Sequence, residues 1–333
     1  MKKIFSPLLT LAVAAGQLHA QSPALDQVDA AQQRRQVLAA NAPAESYAGE
    51  TDDVGVQSPL LTRPRRQLFE ASGDVQYFYT DNMFNAADRR ATDVLVGTLE
   101  AAFAPDSYAL AGGQFAPRLG FRHEWYQYGL LHNDEIPVFD FTQKAFTTVP
   151  LSDFNFTAQT AFGDLAWTWR NWTFAAGYNF RRLISDKTDE EFYREHVPHW
   201  GVQRWIPINA HSGVTLAYEG DWRITKTAQP AIPTLHDDEN DRADHSFLAR
   251  YTHTVGRSGE ISPYYRFQFT DFHGSIDRQD NLHTLGLVFA WHFCPRSTAR
   301  VFVNYDLRDS SHAAIDSYQK LSTGLGFNLT FRF

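Results

Sequence analysis

Charged side chains two residues apart carry most of the chemistry open to this sequence. Arg122 with Glu124, Glu219 with Asp221 and Arg223, and Asp306 with Arg308 stand at i, i+2. On an extended strand that spacing puts both side chains on one face. By the same parity Arg170, Arg181, Arg250, Arg266 and Arg332 join that face of their own segments. Two chemistries fit such a set. The carboxylates Glu124, Glu219, Asp221 and Asp306 can neutralise the guanidinium groups in a rigid ion-pair network, since buried guanidinium groups are costly unless paired or hydrated. Alternatively, the arginines can form a ladder along a wet passage, exchanging the hydration of an anionic or polar solute for bidentate contacts.

The other clusters point to less. His236-Asp237-Asp238-Glu239-Asn240-Asp241 concentrates hard oxygen ligands but lacks the glycine of a calcium loop, so a solvated loop is expected. Glu195-His196-Val197-Pro198-His199 offers two imidazoles, yet Pro198 breaks any helix that would align them, and the segment reads as a loop. Cys294 is the single cysteine, so neither an internal disulfide nor a cysteine metal cluster is expected. No cofactor is implied.

Composition narrows the class. Over 333 residues the mean hydropathy is -0.39, with 14% aromatic and 20% charged residues and a formal charge of -8. That is too aromatic for disorder and too polar for a helical membrane protein. The acidic balance argues against a nucleic-acid partner, which would select a basic face. Residues 1–20 combine Lys2 and Lys3, an apolar stretch from Leu8 to Ala15 and a small-residue exit at Ala20, the pattern of a secretory signal peptide. Their removal deletes those two positive charges and no acid, shifting the formal charge to -10. Residues 21–67 are rich in Ala, Gln, Asp and Pro and read as a tail outside the cytoplasm, with a short helix near 25–39. A small plug inserted in a lumen is the other reading of this tail.

From residue 68 to 333 apolar and polar residues alternate, the mark of a sheet with two unlike faces. Trp172, Phe174, Ala176, Tyr178 and Phe180 share one face, and Thr173, Ala175, Gly177, Asn179 and Arg181 the other. Twelve strands are expected, near 70–80, 92–103, 115–128, 154–169, 171–183, 199–207, 212–225, 245–256, 260–272, 281–294, 298–308 and 319–333. Short links at 170–171, 209–212, 256–259 and 295–297 alternate with long hydrophilic ones at 131–153, 185–198 and 226–244. That rhythm suits an all-β closed antiparallel transmembrane barrel with its termini on the short-turn side. No apolar run of about 18 residues follows Ala20, so only a closed barrel could span a bilayer. Parity does not distinguish such a barrel from a soluble sandwich. Strand length, aromatic residues at strand ends and the leader favour the barrel.

Phe327, Leu329, Phe331 and Phe333 alternate through Leu-Gly-Phe-Asn-Leu-Thr-Phe-Arg-Phe. This segment resembles the assembly signal of Gram-negative outer-membrane β-barrel proteins, and the Tyr79-Thr80-Asp81-Asn82 element is similar to the opening strand of porin-like barrels. The resemblance implies an outer-membrane location, contact with outer-membrane lipid, and the barrel-assembly machinery as a folding partner. Barrels of this size include small channels for acidic sugars and a phospholipase. The phospholipase reading needs a nucleophilic serine two residues after a histidine, and Val255 follows His253 at that place, so no enzyme is expected. The function implied is passive diffusion of small polar or anionic solutes through an arginine-rich lumen. A non-conducting structural or adhesion barrel, or the outer-membrane part of an export system, are the other readings.

Overall fold

The computed structural model describes residues 67–85, 89–140, 145–227, 237–273, 278–312 and 317–333. The expected leader and tail helix lie outside them. The chain runs through β1 (Phe69–Thr80), β2 (Thr92–Phe103), β3 (Tyr108–Leu110), β4 (Gly113–Tyr128), β5 (Glu135–Asp140), β6 (Ala145–Pro150) and a single 3-10 turn (Leu151–Phe154). It continues through β7 (Phe156–Trp169), β8 (Trp172–Ser185), β9 (Glu191–Asn209), β10 (Ser212–Thr227), β11 (Arg242–Val255), β12 (Gly259–Phe272), β13 (Arg278–Cys294), β14 (Ser297–Ser310) and β15 (Tyr318–Arg332).

Twelve of these strands close into an antiparallel barrel. Each pairs with its sequence neighbour, β2 with β4, and β4 with β7. The first and last strands zip together from Glu70↔Arg332 to Thr80↔Ser322. Closure leaves no row of unpaired backbone groups, the condition for a sheet to survive in hydrocarbon. The β3 ribbon extends β4 at the short-turn end, and β5 and β6 form a separate hairpin inside the long connection from β4 to β7.

Side-chain parity follows the register. One row passes through Tyr77, Leu325, Val301, Phe289 and Ile261 and faces out. Another passes through Thr80, Ser322, Asn304, Gly286, Tyr264 and Arg250 and faces in. Leu325 is 57% exposed and Phe293 62%, whereas Arg266 and Lys320 are 1% exposed. Apolar groups outside and charge inside invert the distribution of a water-soluble protein.

All twelve expected strands are present, with one correction to their links. The segment expected as a loop at 185–198 is mostly strand, because β9 begins at Glu191. Pro198 sits within it. The ladder to β10 passes from Asp221↔His199 to Ile224↔His196 and omits Val197 and Pro198, the local loss expected where a proline has no donor. The link from β2 to β4 carries the short β3. At the β7–β8 turn Arg170 adopts φ 53°, the left-handed conformation a two-residue hairpin requires.

Gly286 leaves room for the Tyr264 ring, which would overlap any Cβ placed there. The phenol donates to Asn304 Oδ1 at 2.6 Å. Gly286→Val should therefore expel the ring and destabilise the barrel by about 1–3 kcal/mol. A lowered urea midpoint in detergent is the expected result, and an unchanged midpoint would show that the ring has another seat.

Candidate functional site

The strands deliver a dense set of ionised groups to the lumen. By register the inward cations are Arg118, Arg122, Arg181, Arg223, Arg242, Arg250, Arg266, Arg278, Arg300, Arg308, Lys320 and Arg332. The inward carboxylates are Glu70, Asp74, Glu100, Glu124, Asp164, Glu195, Glu219, Asp221, Asp244, Glu260, Asp280 and Asp306. Eleven of the twelve cations are arginines, and the two sets are equal in number.

Most of these groups are locked to one another. Near the short-turn end Arg118 donates to Glu70 at 2.7 Å and pairs with Glu100, and Arg122 Nε donates to Glu100 at 2.8 Å. Arg223 lies 2.9 Å from Asp221, 3.0 Å from Asp244 and 3.4 Å from Glu195. Arg242 donates to Asp244 at 3.1 Å and Tyr193 to Glu195 at 3.0 Å. Arg181 reaches Glu124 at 3.0 Å. Farther round, Arg266 donates to the Thr284 hydroxyl at 3.4 Å, and that hydroxyl donates to Asp306 at 2.6 Å. Arg278 and Arg308 flank Asp280 at 3.2 and 3.8 Å. Arg250 meets Glu260 at 3.4 Å and Arg300 meets Asp74 at 2.8 Å. Arg332 stands 3.7 Å from Glu70 and donates to the Ala104 carbonyl. Pairing of this kind offsets the desolvation each charge suffers.

One arc of the wall is different. On β7, β8 and β9 a run of inward positions is small or uncharged: Ala166, Thr168, Thr173, Ala175, Gly177, Asn179 and Gln203 are all half-exposed. The Arg122 side chain is 32% exposed and Asp164 31%. Gly177 makes room for His199, whose Nε2 is 3.1 Å from Asp164 Oδ1. Glu219 and Asp221 border the same arc.

Above that arc, at the long-loop end, the lumen is filled with apolar groups. Met83 and Phe84 from the β1–β2 loop, Ile136 from β5 and Leu151 from the 3-10 turn pack on Val94, Val96, Tyr126, Tyr128, Phe156, Ala158, Leu183 and Tyr193. Tyr126 stacks on Phe156 with centroids 4.5 Å apart, and Phe84 meets Phe154 edge-on at 5.7 Å. The next residue, Asn85, accepts from Lys320 Nζ at 3.2 Å and, through its carbonyl, from Arg308 at 3.3 Å. The first loop is thereby held against β14 and β15, and its apolar tip caps the polar arc.

No model of a known protein family matches the chain, and no curated protein resembles it in sequence. Solved structures do resemble it. An outer-membrane channel from Pseudomonas putida F1 superposes with a TM-score of 0.50 at 9% identity, covering 85% of this chain and 100% of that one. The NanC porin gives a TM-score of 0.40 at 11% identity, over 77% of this chain and 98% of its own. The β domain of the Bordetella autotransporter BrkA gives 0.38 at 11% identity, over 79% and 98%. The chain has the fold of an outer-membrane β-barrel.

By register Arg122, Glu124, Arg181, Glu219, Asp221, Arg223, Arg250, Arg266, Asp306, Arg308 and Arg332 take inward positions. Arg170 does not. It occupies the β7–β8 turn, exposed, with its guanidinium 4.7 Å from the Trp169 ring centroid, because parity cannot be carried through a two-residue turn. Among the missed lumen residues, Glu195 fell in the segment read as loop. Lys320 and Arg300 share the parity of Arg332 and Arg308 and were open to the same reasoning.

The outward Phe327, Leu329, Phe331 and Phe333 form an exposed ridge on and just beyond β15. Tyr251 and His253 stack on the outer face of β11. The acidic run past β10 staples its loop instead of converging on a point. Asp241 accepts from the Thr225 amide and hydroxyl at 2.6 and 2.8 Å, and Asn240 donates to Thr227. Burial, then the adjacent Asp238 charge, holds the Glu239 carboxyl above the usual carboxylate range. His236 lies outside the described residues.

Proposed function

We propose that the chain is an outer-membrane channel for the passive diffusion of small polar solutes, with residues 21–67 as its periplasmic tail. The carrying observation is the closed tube whose apolar exterior fits hydrocarbon and whose interior is polar, with a half-exposed arc of small residues beside Arg122, Asp164, His199 and Asp221. Lipid is its surroundings, and the ridge ending at Phe333 is what the barrel-assembly machinery reads.

An anion-selective track of free arginines has less support than a mixed one. Arg181, Arg223 and Arg266 are buried and partnered, and the groups bordering the accessible arc include Asp164, Glu219 and Asp221. Weak selectivity is therefore expected, with small anionic solutes admitted alongside neutral and zwitterionic ones.

In planar bilayers the purified chain should give resolved current steps. Asp164→Asn combined with Asp221→Asn should move the reversal potential in a salt gradient toward anion preference, while an unmoved potential would take these carboxylates out of the solute path. The apolar filling above the arc favours a second reading, a non-conducting barrel that presents its loops to a partner. Currents no larger than leak, from the native chain and from a chain lacking that filling, would reject the channel in favour of this second reading.

A further inference from the structure

On the outer wall three cations stand in one register row at the long-loop end. Arg182 on β8 is directly opposite Arg194 on β9, and Arg194 is directly opposite Lys226 on β10. All three are exposed. Adjacent strands lie about 4.8 Å apart, so like charges placed this way repel. Their partners within the chain are weak. Arg194 is 3.9 Å from Glu191, Lys226 is 3.7 Å from Asp237, both pairs exposed, and Arg182 donates to the neutral Gln159 amide oxygen. Exposed pairs of that kind contribute little.

The two rows beneath are of another character. Phe180, His196 and Ile224 form the first; Tyr178 and Pro198 form the second, with Trp222 on the neighbouring stretch of β10 where the ladder is interrupted. Trp222 and Ile224 are more than half exposed. Tyr178 donates to or accepts from His196 Nδ1, which ties the two rows together. A band of cations over a band of rings and aliphatic groups, on a wall facing away from the lumen, matches an amphiphile whose anionic head sits above its hydrocarbon.

We infer that Arg182, Arg194 and Lys226 form a docking site for the phosphate-bearing headgroup of a membrane lipid, whose acyl chains lie along Phe180, Ile224, Trp222 and Tyr178. Two guanidinium forks and an ammonium can share one phosphate among them, which removes their mutual repulsion. The lipid is the source of the phosphate because the apolar rows directly below would otherwise meet only solvent. The inference rests on the bilayer placement proposed above and is independent of conduction.

The test is a titration of the detergent-solubilised chain with phosphatidic acid brominated in its acyl chains, read by quenching of tryptophan emission, against the same titration with brominated diacylglycerol. Phosphatidic acid should half-saturate at a concentration lower by on the order of a hundredfold, from the summed contribution of three cations. The triple variant Arg182→Gln, Arg194→Gln, Lys226→Gln should abolish that advantage. Arg204→Gln, at the short-turn end of β9, should keep it. The site is refuted if native chain shows no advantage, if the triple variant retains it, if Arg204→Gln loses it equally, or if inorganic phosphate strips the lipid. Failure of both brominated lipids to quench would instead overturn the bilayer placement itself.

Discussion

Replacement of Arg223 by methionine is expected to lower the free energy of unfolding by about 3–5 kcal/mol, the usual consequence of removing one partner from a buried ionic cluster. The guanidinium is 5% exposed and bridges Asp221, Asp244 and Glu195, which come from β10, β11 and β9. Without it Arg242 would be the one cation left on Asp244, beside the neutral Gln268 and Thr270 donors, and Glu195 would keep the Tyr193 hydroxyl. Unfolding in urea, followed by tryptophan emission in detergent, measures the loss. Adding Glu195→Gln and Asp221→Asn to Arg223→Met should restore much of it, because neutral amides leave fewer uncompensated charges. An Arg223→Met chain with the native midpoint would mean that water already carries the solvation attributed to the guanidinium.

The second large effect concerns conduction. Met83, Phe84 and Leu151 hold two loops inside the long-loop end, and truncating a buried side chain of this size costs about 2–5 kcal/mol. The combined change Met83→Ser, Phe84→Ser, Leu151→Ser should therefore release both loops and convert rare, small current steps into sustained, larger ones in a planar bilayer. Faster protease cleavage within residues 129–155 should accompany it. The barrel wall does not depend on these side chains, so its urea midpoint should change far less than that of Arg223→Met. Native-like currents from the released chain would place the solute path away from this end.

Strand number and lumen face were legible because alternation is enforced wherever one side of a strand meets hydrocarbon and the other meets charge. Where strands rise past that zone the rule lapses. In the first half of β9, Arg194, His196 and Pro198 alternate with Tyr193, Glu195 and Val197, both faces mix polar with apolar groups, and the strand read as loop. Ion-pair partners were not legible either. Arg118 and Glu70 are 48 positions apart and meet across β2 through the stagger of two strand pairings, which periodicity does not encode. The seating of Met83, Phe84 and Leu151 depends on the path of irregular backbone, and nothing in their spacing marks them as interior.

The seam between β1 and β15 bears on biogenesis. The amides of Leu68 and Phe69 both donate to the Phe333 carbonyl, and the Phe333 amide donates to Phe69, so the earliest and latest parts of the barrel complete one another. One edge of β1 can pair with β2 as soon as both are made, but its other edge has no partner until β15 arrives. Closure of the barrel thus joins strands from opposite ends of its sequence, a non-local pairing of the kind that makes folding slow and leaves a strand edge exposed until it forms.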